Sequence, residues 1–291
     1  MEWLQQIVNG LFLGSIYALL ALGYTMVYGI IKLINFAHGD VYMVGAFIGS
    51  FLLAGLHLPF FVALIFSMVI CAVLGVVIEF LAYRPLRKST RIAALITAIG
   101  ISFLLENVFI YFFSSQTRSF PQAIEVKQFS IGGIQISNVQ VLILGVSLIL
   151  MFLLQLIVKK TKMGKAMRAV SVDSEAAQLM GINVNRIISF TFALGSALAG
   201  AAGVLIGLYY NSMDPLMGVF PGLKAFVAAV FGGIGIIPGA ALGGFVIGMI
   251  ETLTSASAFA NFRDAVVYGV LILILLVRPA GILGKNIKEK V

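Results

Sequence analysis

Stretches of about 20 apolar residues recur along almost the whole chain, and a helix of that length crosses the hydrocarbon core of a bilayer. Of the 291 residues, 61% are hydrophobic and only 10% charged, too little charge to cover a soluble chain of this length. The ten-residue apolar/polar alternation of an outer-membrane barrel is absent. Glycine, at 31 residues, suits close helix–helix approach in lipid. The expected fold is therefore all-α: a polytopic transmembrane helical bundle of about eight to nine spans, one domain over residues 1–291.

Spans are expected at 8–30, 39–56, 59–82, 92–113, 139–158, 187–210, 223–236, 239–258 and 263–279. The seventh is short and ends at Ile237-Pro238-Gly239, so it reads either as a half-helix or as one arm of a bent hairpin. The N-terminus, Met1-Glu2-Trp3, lacks the basic region of a cleavable signal, and the first span is expected to stay in the mature protein. The one cysteine, Cys71, falls inside an apolar run and reads as a buried thiol.

A net charge of +8 does not imply nucleic acid as a partner, because the basic residues sit between apolar spans and report topology. Arg84, Arg87, Lys88 and Arg91 follow span three. Lys159, Lys160, Lys162, Lys165, Arg168 and Arg186 flank the loop after span five. Arg278, Lys285, Lys288 and Lys290 close the chain. With nine crossings these groups and Lys32 share one side, which places fifteen of the nineteen Lys and Arg there. Arg118, Lys127, Lys224 and Arg263 remain on the other. The positive-inside rule then puts the N-terminus outside and the C-terminus in the cytoplasm.

A weak internal repeat is visible. Spans one and six both contain an Ala-Leu-Gly step, and each is followed by a polar break, Asn35–Asp40 or Asn211–Pro215. Two further spans joined near a proline follow each break, the second carrying Glu79 or Glu251. Matching spans run in opposite directions, as in an inverted transporter repeat; similar apolar composition would produce the same pattern.

Catalytic constellations are missing. No phosphate loop, nucleophile elbow or paired metal ligands occur, and His38 and His57 stand apart. The chain reads as no enzyme, with no cofactor and no metal. The loop Lys159–Arg186 is the most informative segment. Asp173 suits an N-cap, Glu175 a helix N-terminus and Gly181 a left-handed C-terminal position. Ala176, Leu179 and Met180 then form one apolar stripe. Such a helix either docks a soluble partner or lies on anionic headgroups.

Candidate pathway residues are few. Ala199, Gly203 and Gly207 recur every four residues in span six, and Phe231–Gly244, with Gly232, Gly233 and Gly235, is too broken for one helix. It lines a pore or packs closely. Thr97, Ser102, Glu106 and Asn107 fall within span four, and Asn35 and His38 at the break after span one. Each either contacts solute or hydrogen-bonds within the bundle. Glu79 lies near Arg84 in sequence, a possible ion pair.

Five segments together resemble the branched-chain amino-acid ABC transporter permeases, and among them the Liv H-type subunit of leucine/isoleucine/valine import. They are Asn35-Phe-Ala-His-Gly-Asp40, Thr97-Ala-Ile-Gly-Ile-Ser102, Ser174-Glu-Ala-Ala-Gln-Leu-Met-Gly-Ile-Asn183, Phe231-Gly-Gly-Ile-Gly-Ile-Ile-Pro-Gly-Ala240 and Arg278-Pro-Ala-Gly-Ile-Leu-Gly284. The resemblance runs from about Gly10 to Gly284 in family order. It implies a permease of the bacterial cell membrane that pairs with a second related permease. Two cytoplasmic ATPase subunits and an extracytoplasmic substrate-binding protein complete such a system. By motif, Gly164, Arg168, Glu175, Ala176, Ala177 and Gly181 belong to the loop that contacts an ATPase. The family also carries urea and amides, and a secondary transporter acting alone is the rival reading of the residues.

Overall fold

The computed structural model describes residues 2–87 and 89–284; Lys88, Lys285, Lys288 and Lys290, part of the basic clusters above, lie outside the described residues. Two long helices form the centre, α1 (Glu2–Ile31) and α9 (Val184–Tyr210). A Cβ on Gly195 would stand 3.3 Å from the carbonyl oxygen of Gly23. The two Ala-Leu-Gly steps are thus where the backbones cross, a close approach that glycine favours in lipid.

Around this pair one arrangement occurs twice. α2 (His38–Ser50) and α3 (Phe60–Ile78) follow α1; α10 (Val219–Gly232) and α11 (Ile237–Ser255) follow α9. α1 lies antiparallel on α11, with Gly10 against Met249 and Gly14 against Phe245. α9 lies antiparallel on α3, with Gly75 against Ser196 and Gly200 against Cys71. α2 runs parallel to α9 through Gly45 on Gly200 and Gly49 on Val204. α10 runs parallel to α1, with Gly222 by Tyr24 and Gly235, just beyond its end, by Gly29. Each long helix carries the third helix of the other set, which is the packing of an inverted repeat.

The polar breaks are irregular backbone inside the bundle. After α1 the chain turns at Lys32 (φ 55°) and climbs back. The His38 ring then fills the place a Cβ on Gly23 would occupy, about two turns before α1 ends. The second break opens with Asn211 in the left-handed region (φ 51°) and brings Gly218 against Gly39. A Cβ on either would overlap the other's carbonyl. The N-termini of α2 and α10 therefore abut within the fold. Non-helical backbone persists at such depth because protein encloses it; Asn35, for example, is buried and accepts a hydrogen bond from the Tyr83 hydroxyl at 3.1 Å.

Peripheral helices complete the bundle. α3 continues through a π-helical turn, Glu79–Tyr83, into the short α4 (Arg84–Leu86). α5 (Arg91–Phe113) is N-capped by Thr90, and α6 (Asn138–Lys160) by a capping box of Ser137 and Gln140. α12 (Arg263–Val277) ends the described membrane region. These helices expose large apolar side chains such as Ile96, Phe103, Leu104, Phe152 and Leu276, the surface expected where lipid is the solvent. The protein is a multi-pass membrane protein.

Among the described residues seven helices are long and apolar enough to cross a membrane: Trp3–Ile31, Phe60–Leu86, Ile92–Phe113, Asn138–Lys160, Val184–Tyr210, Ile237–Ser255 and Ala260–Val277. The expected second and seventh spans, 39–56 and 223–236, are shorter elements. α2 is prolonged only by the π-helical turn Phe51–Gly55, and α10 stops at Gly232. The segment 223–258 is two helices joined at Gly233 (φ 111°) and Gly235 (φ 92°), not one bent span. Two small antiparallel pairs add to the helices: β1 (Arg118–Ser119) with β4 (Ser212–Met213), and β2 (Gln128–Ile131) with β3 (Ile134–Ser137).

Two charges depart from expectation. Lys224 is not a loop residue: it is buried in α10, held by Glu251 at 2.5 Å and Asp264 at 2.8 Å. Glu79 pairs with Arg87, not Arg84, and also accepts from the Ser189 hydroxyl at 2.6 Å. Arg84 instead lies over the Phe80 ring.

Candidate functional site

Where α2 and α10 meet, a cavity of about 160 Å³ opens between them and α5. Tyr24, Phe36, Asp40, Ser102, Phe103 and Glu106 line it. Asp40 stands in the first turn of α2, a favourable place for a carboxylate, and is 2% exposed. Ser102, on α5, donates its hydroxyl to Asp40 Oδ2 at 2.5 Å. Glu106, one turn further along α5, is 7% exposed and faces the same space. Gly39, Gly218 and Gly222 bring the backbones of both half-helices to the wall.

The expected pathway residues separate here. Ser102 and Glu106 meet in the cavity. His38 sits just behind it, its ring edge-on to Tyr24 with centroids 4.8 Å apart and its Nε2 without a hydrogen-bond partner among the described residues. Thr97 returns its hydroxyl to Ala93 of its own helix, and Asn107 is exposed and bonds Phe103. Asn35 is tied to Tyr83. Gly232, Gly233 and Gly235 form the tight connection of α10 to α11, where Gly232 packs on the Gly239 backbone. Asp40, Tyr24, Gly218 and Gly222 carry more of the cavity than the sequence pattern assigned to them. An acidic residue opening an apolar helix, and a Gly-x-x-x-Gly pair after a break, were the available signals.

The loop after α6 forms two helices, α7 (Lys162–Val172) and α8 (Ser174–Leu179). Thr161 caps α7 by accepting from the Gly164 N–H at 3.0 Å. A side chain at Gly164 would overlap the carbonyls of Ile157 and Val158, and the Arg168 guanidinium donates to Val158. These two residues build the bend. Asp173 Oδ1 accepts from Glu175 N–H and Ala176 N–H, both at 2.9 Å, and Gly181 closes α8 at φ 82°. Ala177 is buried and anchors α8; Glu175 and Ala176 are exposed, as are Leu179 at 89% and Met180 at 83%. Val172 extends this outward apolar patch. Among the described residues no three His, Cys, Asp or Glu side chains gather to hold a metal ion.

Comparison with known proteins is specific. The family model described as branched-chain amino acid transport system, permease component, matches residues 6–275. The chain is 45% identical to the high-affinity branched-chain amino acid transport system permease protein BraD of Pseudomonas aeruginosa, over 100% of this chain and 98% of that protein. It is 43% identical to the corresponding LivH of Escherichia coli, over 99% and 98%. A probable branched-chain amino acid transport permease protein LivH of Methanocaldococcus jannaschii is 31% identical over 94% and 90%.

Proposed function

We propose that this chain, which belongs to the branched-chain amino acid transport permease family, is the membrane subunit of an ATP-driven importer and passes branched-chain amino acids without binding nucleotide itself. The observation that carries this reading is α8: a capped, anchored helix that leaves Leu179 and Met180 exposed on the basic-flanked segment between α6 and α9. Apolar side chains exposed among basic residues, outside the apolar spans, support a docking surface. A helix fastened between two spans transmits force into both.

Two cytoplasmic ATPase subunits, one for this permease and one for a second, related permease, supply that force. An extracytoplasmic binding protein delivers the solute, and kinship with high-affinity branched-chain amino acid permeases supports the branched-chain amino acids leucine, isoleucine and valine as its class. The basic residues around α6 and α7, with Arg84, Arg87 and Arg186, support a cytoplasmic side there, hence an outer N-terminus and an inner C-terminus in the bacterial membrane.

Reconstituted alone, the chain takes up no leucine; with its ATPases, partner permease and binding protein it concentrates leucine on ATP. Accumulation by the chain alone on an ion gradient would instead make it a secondary transporter. In the full complex, Leu179→Asp with Met180→Asp lowers uptake and ATPase co-purification while membrane insertion persists. Unchanged uptake and assembly would retire the docking role.

A further inference from the structure

We propose that the cavity between α2, α5 and α10 is a recognition subsite for the primary ammonium group of the transported solute, with Glu106 as its principal anion and Asp40 as the second. The inference rests on the transport reading above and narrows it.

Four carboxylates are buried among the described residues: Asp40, Glu79, Glu106 and Glu251. Two are fully matched. Glu79 has Arg87 and the Ser189 hydroxyl; Glu251 has Lys224 and the Tyr17 hydroxyl at 2.8 Å. The other two have no cation, and both line this one cavity. Asp40 has a single hydroxyl donor, Ser102. Glu106 has neither hydrogen-bond donor nor ion pair among the described residues, although it is only 7% exposed.

A carboxylate removed from water and left without a counter-charge is costly, and within a membrane such groups mark the route of a charged guest. The protein supplies no resident cation here, which leaves the place open to a cationic group of the solute. A zwitterionic amino acid brings a primary ammonium with three donors, enough for both Glu106 and Asp40. Phe36, Ile99 and Phe103 give the same cavity an apolar side suited to an aliphatic side chain. Urea and amides bring no cation. At about 160 Å³ the space is below the range of complete ligand pockets, consistent with a half-site that the second permease closes.

The test uses the complete transporter in proteoliposomes with ATP and radiolabelled L-leucine, comparing Glu106→Gln and Glu106→Asp. Gln keeps the shape and loses the charge; Asp keeps the charge and loses length. The subsite predicts that Gln lowers kcat/KM for uptake roughly tenfold or more and that Asp retains more uptake than Gln. Gln equal to or better than Asp overturns it and leaves the transport reading standing. A wild-type complex that concentrates urea and not leucine overturns both. Wild-type leucine uptake that requires sodium assigns the carboxylates to a metal cation and overturns the ammonium assignment alone.

Discussion

α2 and α10 begin against each other at Gly39 and Gly218, each after an irregular stretch, yet the charge near each start is treated in opposite ways. On α10, Lys224 is enclosed by Glu251 and Asp264, and Tyr17 completes the shell around Glu251. On α2, Asp40 has one hydroxyl and a neighbouring carboxylate. The backbone is repeated; the electrostatics are not. A buried pair whose members satisfy each other fixes geometry, whereas an uncompensated acid facing a cavity is available to something else. The half that is closed holds the bundle, and the half that is open does the recognising.

The hardest test of the shared geometry is Gly39→Val or Gly218→Val. Each side chain would strike backbone that cannot move aside, so folded, monodisperse protein in mild detergent is expected to be lost; recovery at normal yield would break the picture of abutting half-helices. Next in size is Lys224→Met, which strands the buried Glu251. It should cost about 3–5 kcal/mol, read as a lowered melting temperature, and adding Glu251→Gln should return part of it. A neutral Lys224→Met would mean the closed half is not held by charge. Ser102→Ala removes one hydrogen bond to a carboxylate, worth roughly 1.5–3 kcal/mol, read as a lowered melting temperature without loss of leucine uptake. Smallest is Asp173→Ala, about 1 kcal/mol of cap energy confined to α8. Its expected signature is faster amide exchange over 174–180 with the two half-helices unchanged.

Much of this architecture is legible in the residues. The Ala-Leu-Gly steps, the polar breaks and the paired glutamates announce a repeat because backbone crossings in lipid need glycine and breaks need enclosure. The Asp173 cap and Gly181 terminus of α8 are local rules and hold as read. Depth is harder. Hydropathy registers α2 and α10 as spans but not that each starts inside the bundle, since that follows from Gly39 meeting Gly218, 179 positions away. Lys224 reads as a loop charge for the same reason: its two counter-ions come from α11 and α12. Glu106 could be singled out by composition alone, but that Asp40 shares its cavity is a tertiary fact.

α5 touches the rest of the bundle sparingly, through α2 and the turn at Glu79–Tyr83. One end is clasped by Phe109 and Phe113 around Phe47, with centroids 5.1 and 4.9 Å away. Its middle is tied to α2 by the Ser102–Asp40 bond. That bond is also the one an arriving ammonium would compete for. Cargo in the proposed subsite would therefore slip the latch on its own door, with the Phe47 clasp as the hinge. Spin labels on α5 and α9 should show their separation widening when leucine is present, and no change would leave the door fixed.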